Sequence, residues 1–255
     1  MSESPAESPG ILWNITLYVF IAIVAVFATW LYFRTPVEYA SQTHTGSAME
    51  TKYQVQVARF PSNAAGNADW HELTAAIQDR LDELEQTMSD TNQFDLTSAD
   101  WFHELKLAIP ELERDFSSII RGLAVDSIAE LLEKRGITDY FIEVGTLSRS
   151  KGKKGVERDQ DWVVGIERPT QDYTGLYQTF ALNDRSLAKS GTRELASVAV
   201  LAPNALQASA WMTAMLVLGE QEGLELANRH GIAVLFLRLD GDEVRTTYSE
   251  HWQQH

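Results

Sequence analysis

The amino-acid sequence predicts an α+β fold, with antiparallel strands and helices kept in separate stretches. Three observations carry this. Amphipathic helix-period segments alternate irregularly with short strand-like runs, Asp240-Gly241 gives a hairpin signal between two of those runs, and no internal repeat or low-complexity tract interrupts them. The 255 residues carry a net charge of −15, spread along the chain. Such a surface repels phosphate backbones, so nucleic acid is excluded as an expected partner. The absence of cysteine removes thiol catalysis, thiolate metal sites and disulfides.

Residues 1–10 read as a tail, 11–33 as a transmembrane helix, 34–47 as a linker and 48–255 as the folded domain. Ile11 to Phe33 contains 23 residues and no charge, enough to cross a hydrocarbon core of ~30 Å. Trp13, Tyr18, Trp30 and Tyr32 lie toward its ends, where amphipathic aromatics favour the interface. A cleavable signal peptide is disfavoured: no Lys or Arg precedes the run and no small-residue cleavage site follows directly. Arg34 alone points the domain toward the cytoplasm.

Thr35 to Ser47 is polar, with Pro36 and Gly46, hence the linker. Thr51 to Val57 alternates, placing Tyr53, Val55 and Val57 on one face of a strand. Trp70, Leu73, Ile77, Leu81, Leu84 and Met88 step by three or four, so Asp69 to Met88 is a helix with Asp69 and Glu72 near its start. A shorter helix is expected over Ala99–Ile109, ended by Pro110. From Asp115 a short loop leads into the next helix, with Ile119, Ile120, Leu123, Ile128, Leu131 and Leu132 inward and Asp126, Glu130, Glu133 and Lys134 on the other side; Gly136 stops it after Lys134 and Arg135.

Strands are expected at Tyr140–Leu147, Trp162–Glu167, Leu176–Leu182 and Ser197–Leu201. The basic, glycine-bearing RSKGKKGVERDQD between the first two reads as a solvated hairpin, with an anion-binding loop as the alternative. Pro203 opens a helix that ends at Gly219, a second helix over Glu220–His230 follows and Gly231 stops it, before a hairpin of Ile232–Arg238 and Glu243–Tyr248. No glycine-rich phosphate loop or nucleophile elbow is present. His71-Glu72 and His103-Glu104 lack the second histidine of a zinc helix, and His251 with His255 stands at the chain end.

Several segments resemble the ApbE family, the FAD:protein FMN transferases. That pattern runs D-L-S/G-x-I-x-K/E-G-Y-A-x-D, a helix, then a strand ending in G-G. Here it reads Asp115-Phe-Ser-Ser-Ile-Ile-Arg-Gly-Leu-Ala-Val-Asp126, then Leu132 through Gly136, then Val144-Gly145-Thr146. Trp162 to Pro169, Ser190-Gly191 and Ser197 to Leu237 continue it, and Ala48-Met49-Glu50-Thr51 stands where the family has M-G-T. The resemblance implies an ApbE-like (T-fold-like) mixed or antiparallel sheet with packed helices. It implies Mg²⁺-dependent transfer of FMN from FAD to a threonine of a partner flavoprotein. It also implies a domain on the periplasmic side of the bacterial inner membrane, an expectation that outweighs the single charge of Arg34.

By the same resemblance, Met49, Asp115 and Arg121 are the cofactor-contacting positions, and Ser118, Ser209 and Thr213 the metal positions. The departures fall on these residues. The A-D-A-x-x-T metal helix of the family reads Ala208-Ser209-Ala210-Trp211-Met212-Thr213, Arg121 replaces a Lys or Glu, Leu123 a Tyr, and Glu50 a Gly. The H-x-I-D-P-x-T-G block is replaced by TRELA, and the stretch between Ser89 and Asp115 is short. Mg²⁺ wants hard oxygen ligands with one or two carboxylates, so the expectation is a degenerate relative serving as an interaction or accessory subunit of a membrane flavoprotein or electron-transfer assembly. An active FMN transferase and a flavin-binding sensor without turnover are the alternatives.

Overall fold

The structure is a computed structural model that describes residues 11–32, 38–87, 102, 105, 109, 116–169, 175–190, 196–241 and 243–252. In chain order the elements are α1 (Ile11–Tyr32), β1 (Tyr39–Ala48), β2 (Thr51–Pro61), α2 (Ala64–Thr87), α3 (Phe116–Lys134), β3 (Tyr140–Val144) and β4 (Leu147–Lys151). Then follow β5 (Val163–Glu167), β6 (Leu176–Ala181), β7 (Ser186–Lys189), β8 (Ala196–Ala202), α4 (Ala205–His230), β9 (Ala233–Asp240) and β10 (Glu243–Tyr248). The chain divides into two compact units, Met1–Glu38 and Tyr39–His255.

In the second unit eight strands form one sheet, ordered β1-β2-β3-β4-β7-β8-β9-β10, and every neighbouring pair is antiparallel. The strand period of two sends alternate side chains to two cores. Tyr53, Val55, Val57, Val198, Val200, Val234 and Phe236 join the helix-side core with Ile77, Leu81, Ile128 and Leu132. Phe141, Leu187, Ala199, Leu201, Leu235 and Leu237 face the other way, onto Trp162, Val164 and Ile166 of the β5–β6 hairpin and onto Trp252. A strand covered on both faces has no polar side, so β9 reads as the unbroken apolar run AVLFL.

Local chemistry fixes the element ends. Asn63 caps α2: its Oδ1 accepts from Gly66 N at 2.8 Å, so the helix begins before the Asp69–Glu72 pair. α4 begins at Asn204, whose side chain accepts from Gln207 N, and turns sharply at Gly219 (φ 75°). Gly231 closes it in the left-handed region. Gly46 lets β1 lie under the ring of Tyr53, where a Cβ would stand 2.6 Å from two ring carbons and from the hydroxyl oxygen. The Tyr53 hydroxyl donates to Gln78 Oε1 at 2.7 Å and lies 3.0 Å from His44 Nε2, pinning the β1–β2 hairpin to α2.

Two expectations shift, one strand is not foreseen, and one expected helix lies mostly outside the described residues. The linker expected over residues 34–47 gives way at Tyr39 to β1, an edge strand so rich in hydroxyls that no apolar face announces it. The run Tyr140–Leu147 crosses a two-residue turn at Gly145-Thr146 and makes parts of two strands. β7, only four residues long, carries no sequence pattern of its own. Of the helix expected over Ala99–Ile109, only Phe102, Leu105 and Ile109 are among the described residues, all three buried. The basic loop is a hairpin: Lys154 bridges Gln160, Lys153 pairs with Asp161, and Lys151 with Glu133.

In the first unit α1 is 22 residues long. Its described side chains, residues 18–28, are all exposed, and most are apolar. That described stretch is shorter than a bilayer span, and among the described residues no helix is long and apolar enough to cross a membrane.

Candidate functional site

Of the positions that the resemblance marks, Met49 lies in the helix-side core cluster, and Ser209 and Thr213 are buried on α4. Met49 occupies the β1–β2 turn, where Ala48 pairs with Thr51, so Met49 and Glu50 form a two-residue loop. Both have positive φ, 52° and 59°, the geometry of a type I′ hairpin turn. Neither is the Gly or Asn that such a turn prefers. Met49 nevertheless buries its side chain, with 2% exposed, in the same cluster as Ile119, Ile120 and Met212.

α3 approaches α4 through Gly122. A Cβ there would lie 2.7 Å from Ala205 O and 2.9 Å from Leu206 Cα, so only glycine allows this crossing. The contact sets Asp126, one turn on, against the first turn of α4. Its Oδ1 accepts from Ala205 N and its Oδ2 from Leu206 N, both at 2.9 Å. With Asn204 taking Gln207 N at 2.8 Å, three first-turn N–H donors are satisfied from within the chain. The α4 N-terminus, a natural seat for a phosphate, is therefore filled by the protein's own carboxylate.

Asp126 is also paired with Arg149, Nη1 to Oδ1 at 2.5 Å, with both side chains largely buried. Arg149 reaches on to Glu133 at 3.7 Å, and Glu133 Oε1 also meets Lys151 Nζ at 3.2 Å and accepts from the Tyr140 hydroxyl at 2.6 Å. Burial alone would raise the Glu133 carboxyl. The hydrogen bonds from Tyr140 and Lys151 and the charges of Lys151 and Arg149 outweigh it and hold the carboxyl below its ordinary range. Burial, and after it the bond to Glu133, pushes the Tyr140 phenol well above its ordinary value. Helical spacing puts Asp126 and Glu133 on the solvent side of α3; the structure joins both to the sheet. The signal for Asp126 was present, since it closes the segment that begins at Asp115.

Ser209 is wholly buried in α4, and Thr213, 5% exposed, donates its hydroxyl to Ser209 O at 3.0 Å. That bond is the ordinary way a helical threonine satisfies its proton inside a core. Ser118 lies in the first turn of α3 with its side chain outside the described residues, and Asp115 lies outside them altogether. Among the described residues no group of three His, Asp or Glu could hold a metal ion. Neutral, buried and already committed, Ser209 and Thr213 do not fit a Mg²⁺ site.

Arg121 is partly buried, and its Nε is enclosed without a hydrogen-bond partner among the described residues. Two clefts of the sheet domain, about 650 and about 470 Å³, have neither Met49, Arg121, Ser209 nor Thr213 among their described lining residues.

Comparison with known proteins agrees on the fold. The sequence model described as the ApbE family matches residues 92–195 and 192–236. The FAD:protein FMN transferase of Escherichia coli (strain K12) is 29% identical over 174 residues, 58% of this chain. That of Haemophilus influenzae is 33% identical over 174 residues, 57% of this chain. The chain spans about half the length of these curated relatives, 49% in each case. Among solved structures, the flavin transferase ApbE of Vibrio cholerae superposes with a TM-score of 0.69 at 18% identity, covering 85% of this chain and 99% of that one. The apo flavinyl transferase ApbE of Pseudomonas stutzeri gives 0.65 at 20% identity, covering 85% and 96%. With more than half of its residues matched by the family model, from before α3 into β9, the chain belongs to the ApbE family.

Proposed function

We propose that this protein is a membrane-anchored ApbE-like domain that no longer transfers FMN and acts as an interaction or accessory subunit of a membrane flavoprotein assembly. One observation carries the reading. Where the resemblance calls for a metal-binding carboxylate, a fully buried serine stands, and the neighbouring threonine has turned its hydroxyl into the helix. Without a divalent cation to offset charge on the phosphoryl oxygens, cleavage of the FAD pyrophosphate loses its main electrostatic support. The anchor is α1, uncharged in sequence and exposing Tyr18, Phe20, Ile21, Ile23, Val26 and Phe27. The domain would face the periplasm of a bacterial inner membrane, which protease accessibility in spheroplasts checks directly.

The test is to incubate the full chain in detergent with FAD and Mg²⁺ and measure AMP release and bound flavin. Neither signal is expected above a no-protein control; AMP release would overturn the reading. Ser209→Asp gives a second arm. A carboxylate placed in this closed core should lower the melting temperature with or without Mg²⁺, whereas a melting temperature restored by Mg²⁺ would mean that the metal site survives.

The alternative, an active Mg²⁺-dependent FMN transferase acting on a threonine of a partner, draws on Arg121. Its enclosed Nε, unmatched among the described residues, is what a guanidinium awaiting a pyrophosphate would present. The AMP measurement separates the two.

A further inference from the structure

The larger cleft, about 650 Å³, lies past the C-terminal end of α3, away from the Gly122 crossing and from Arg121 near the helix start. From Arg121 to Arg135 the helix rises about 21 Å at 1.5 Å per residue. Three arginines from three separate elements line it: Arg59 near the end of β2, Arg135 just after α3, and Arg158 in the β4–β5 loop. Asp69, Glu72 and Asp139 line the same cleft, so its described lining is formally neutral in a chain of net charge −15.

Their donors are mostly unspent. Arg59 is exposed, lies 4.6 Å over the ring of Tyr39, and has no ion-pair partner among the described residues. Arg135 meets Glu72 only at 3.5 Å. Arg158 spends its Nε on Asp139, at 3.0 Å, which leaves the outer nitrogens uncommitted to a described carboxylate. Asp139, buried, also takes Lys153 N at 2.9 Å, so it serves to position Arg158. The backbone at Arg158 is itself unusual: φ is 58°, a left-handed conformation costly for any residue but glycine and kept here by a turn that presents the guanidinium. Phe60, Ile137 and the Tyr39 ring supply an apolar wall beside these cations.

From this geometry we infer a binding site for a small organic phosphate: a compact phosphoryl group held by the arginines, with a flat or apolar body on the Tyr39–Phe60–Ile137 wall. Guanidinium forks match phosphate oxygens two at a time, and the cleft volume lies within the range of small-ligand pockets, about 300–1,000 Å³. Asp69 also lines the cleft, exposed and without a described cation partner, and it opposes the anion. The site is distinct from the positions that the family resemblance marks and does not depend on whether those bind flavin.

The experiment titrates the full chain in detergent with uridine monophosphate, inorganic phosphate and uridine, by calorimetry. Uridine monophosphate should bind at least about tenfold more tightly than phosphate, and uridine should not bind. Arg59→Gln with Arg135→Gln should weaken it about tenfold or more, through lost charged hydrogen bonds. Both side chains are peripheral to the core, and circular dichroism verifies the fold; Arg59→Gln alone suffices if the pair does not fold. Asp69→Asn should tighten binding severalfold by removing repulsion, and Arg121→Gln should leave it unchanged. No binding at millimolar ligand, binding that ignores Arg59, or binding abolished by Arg121→Gln would each overturn the inference.

Discussion

At Glu50 the backbone has kept a shape that its residue does not suit. The β1–β2 turn needs positive φ at both central positions, and Glu50 sits at 59°. Side chains pay about 1–2 kcal/mol for that region, offset in part by the extra freedom glycine has when unfolded. Glu50→Gly should therefore stabilise the domain by up to about 1 kcal/mol, read from the urea midpoint. Asp126 stands at the other extreme. Asp126→Asn removes the Arg149 ion pair and one acceptor for the first turn of α4, and should cost about 3 kcal/mol. Glu133 gives a pH signature. Its folded carboxyl is held below the ordinary range, so its stabilisation is present above the unfolded value and is lost as pH falls through the folded one. Glu133→Gln should be less stable at neutral pH and lose less stability than the parent on acidification through and below the carboxylate range. A parallel loss in both proteins would remove Glu133 from the network.

The elements read at different depths from the sequence. α2, α3 and α4 were legible because their apolar positions recur at helical spacing against one core. β9 and β10 were legible because Asp240-Gly241 makes a turn. β1 and β7 were not: one is a polar edge, the other four residues long, and both exist through their neighbours. The candidate site was legible as a set of positions but not as a state. Spacing placed Ser209 and Thr213 on one helix face, yet only the fold shows that face closed and the threonine proton spent on Ser209 O. The crossing of α3 and α4 is where element packing can be tested most sharply. Gly122→Ala puts a methyl into the α4 backbone and should cost about 3 kcal/mol. Gly136→Ala, at φ 74° with open space around it, should cost only about 1 kcal/mol from conformation. Equal losses would mean that the helices can part freely.

For the whole molecule the division falls at Glu38/Tyr39. Every described residue of the two buried clusters lies at Ala48 or beyond, so the second unit holds its own core without α1. The described side chains of α1, by contrast, are exposed and mostly apolar, an arrangement that water penalises at about 25 cal/mol for each Å² left uncovered. A chain starting at Tyr39 should therefore unfold in one cooperative transition and stay monodisperse without detergent. Residues 1–255 should sediment with membranes and leave them on detergent but not on high salt, since a hydrophobic anchor is indifferent to screening. If high salt released the full chain, attachment would be electrostatic and α1 would need another role. If the shortened chain aggregated, residues 1–38 would be contributing to the fold of the domain rather than only to its placement.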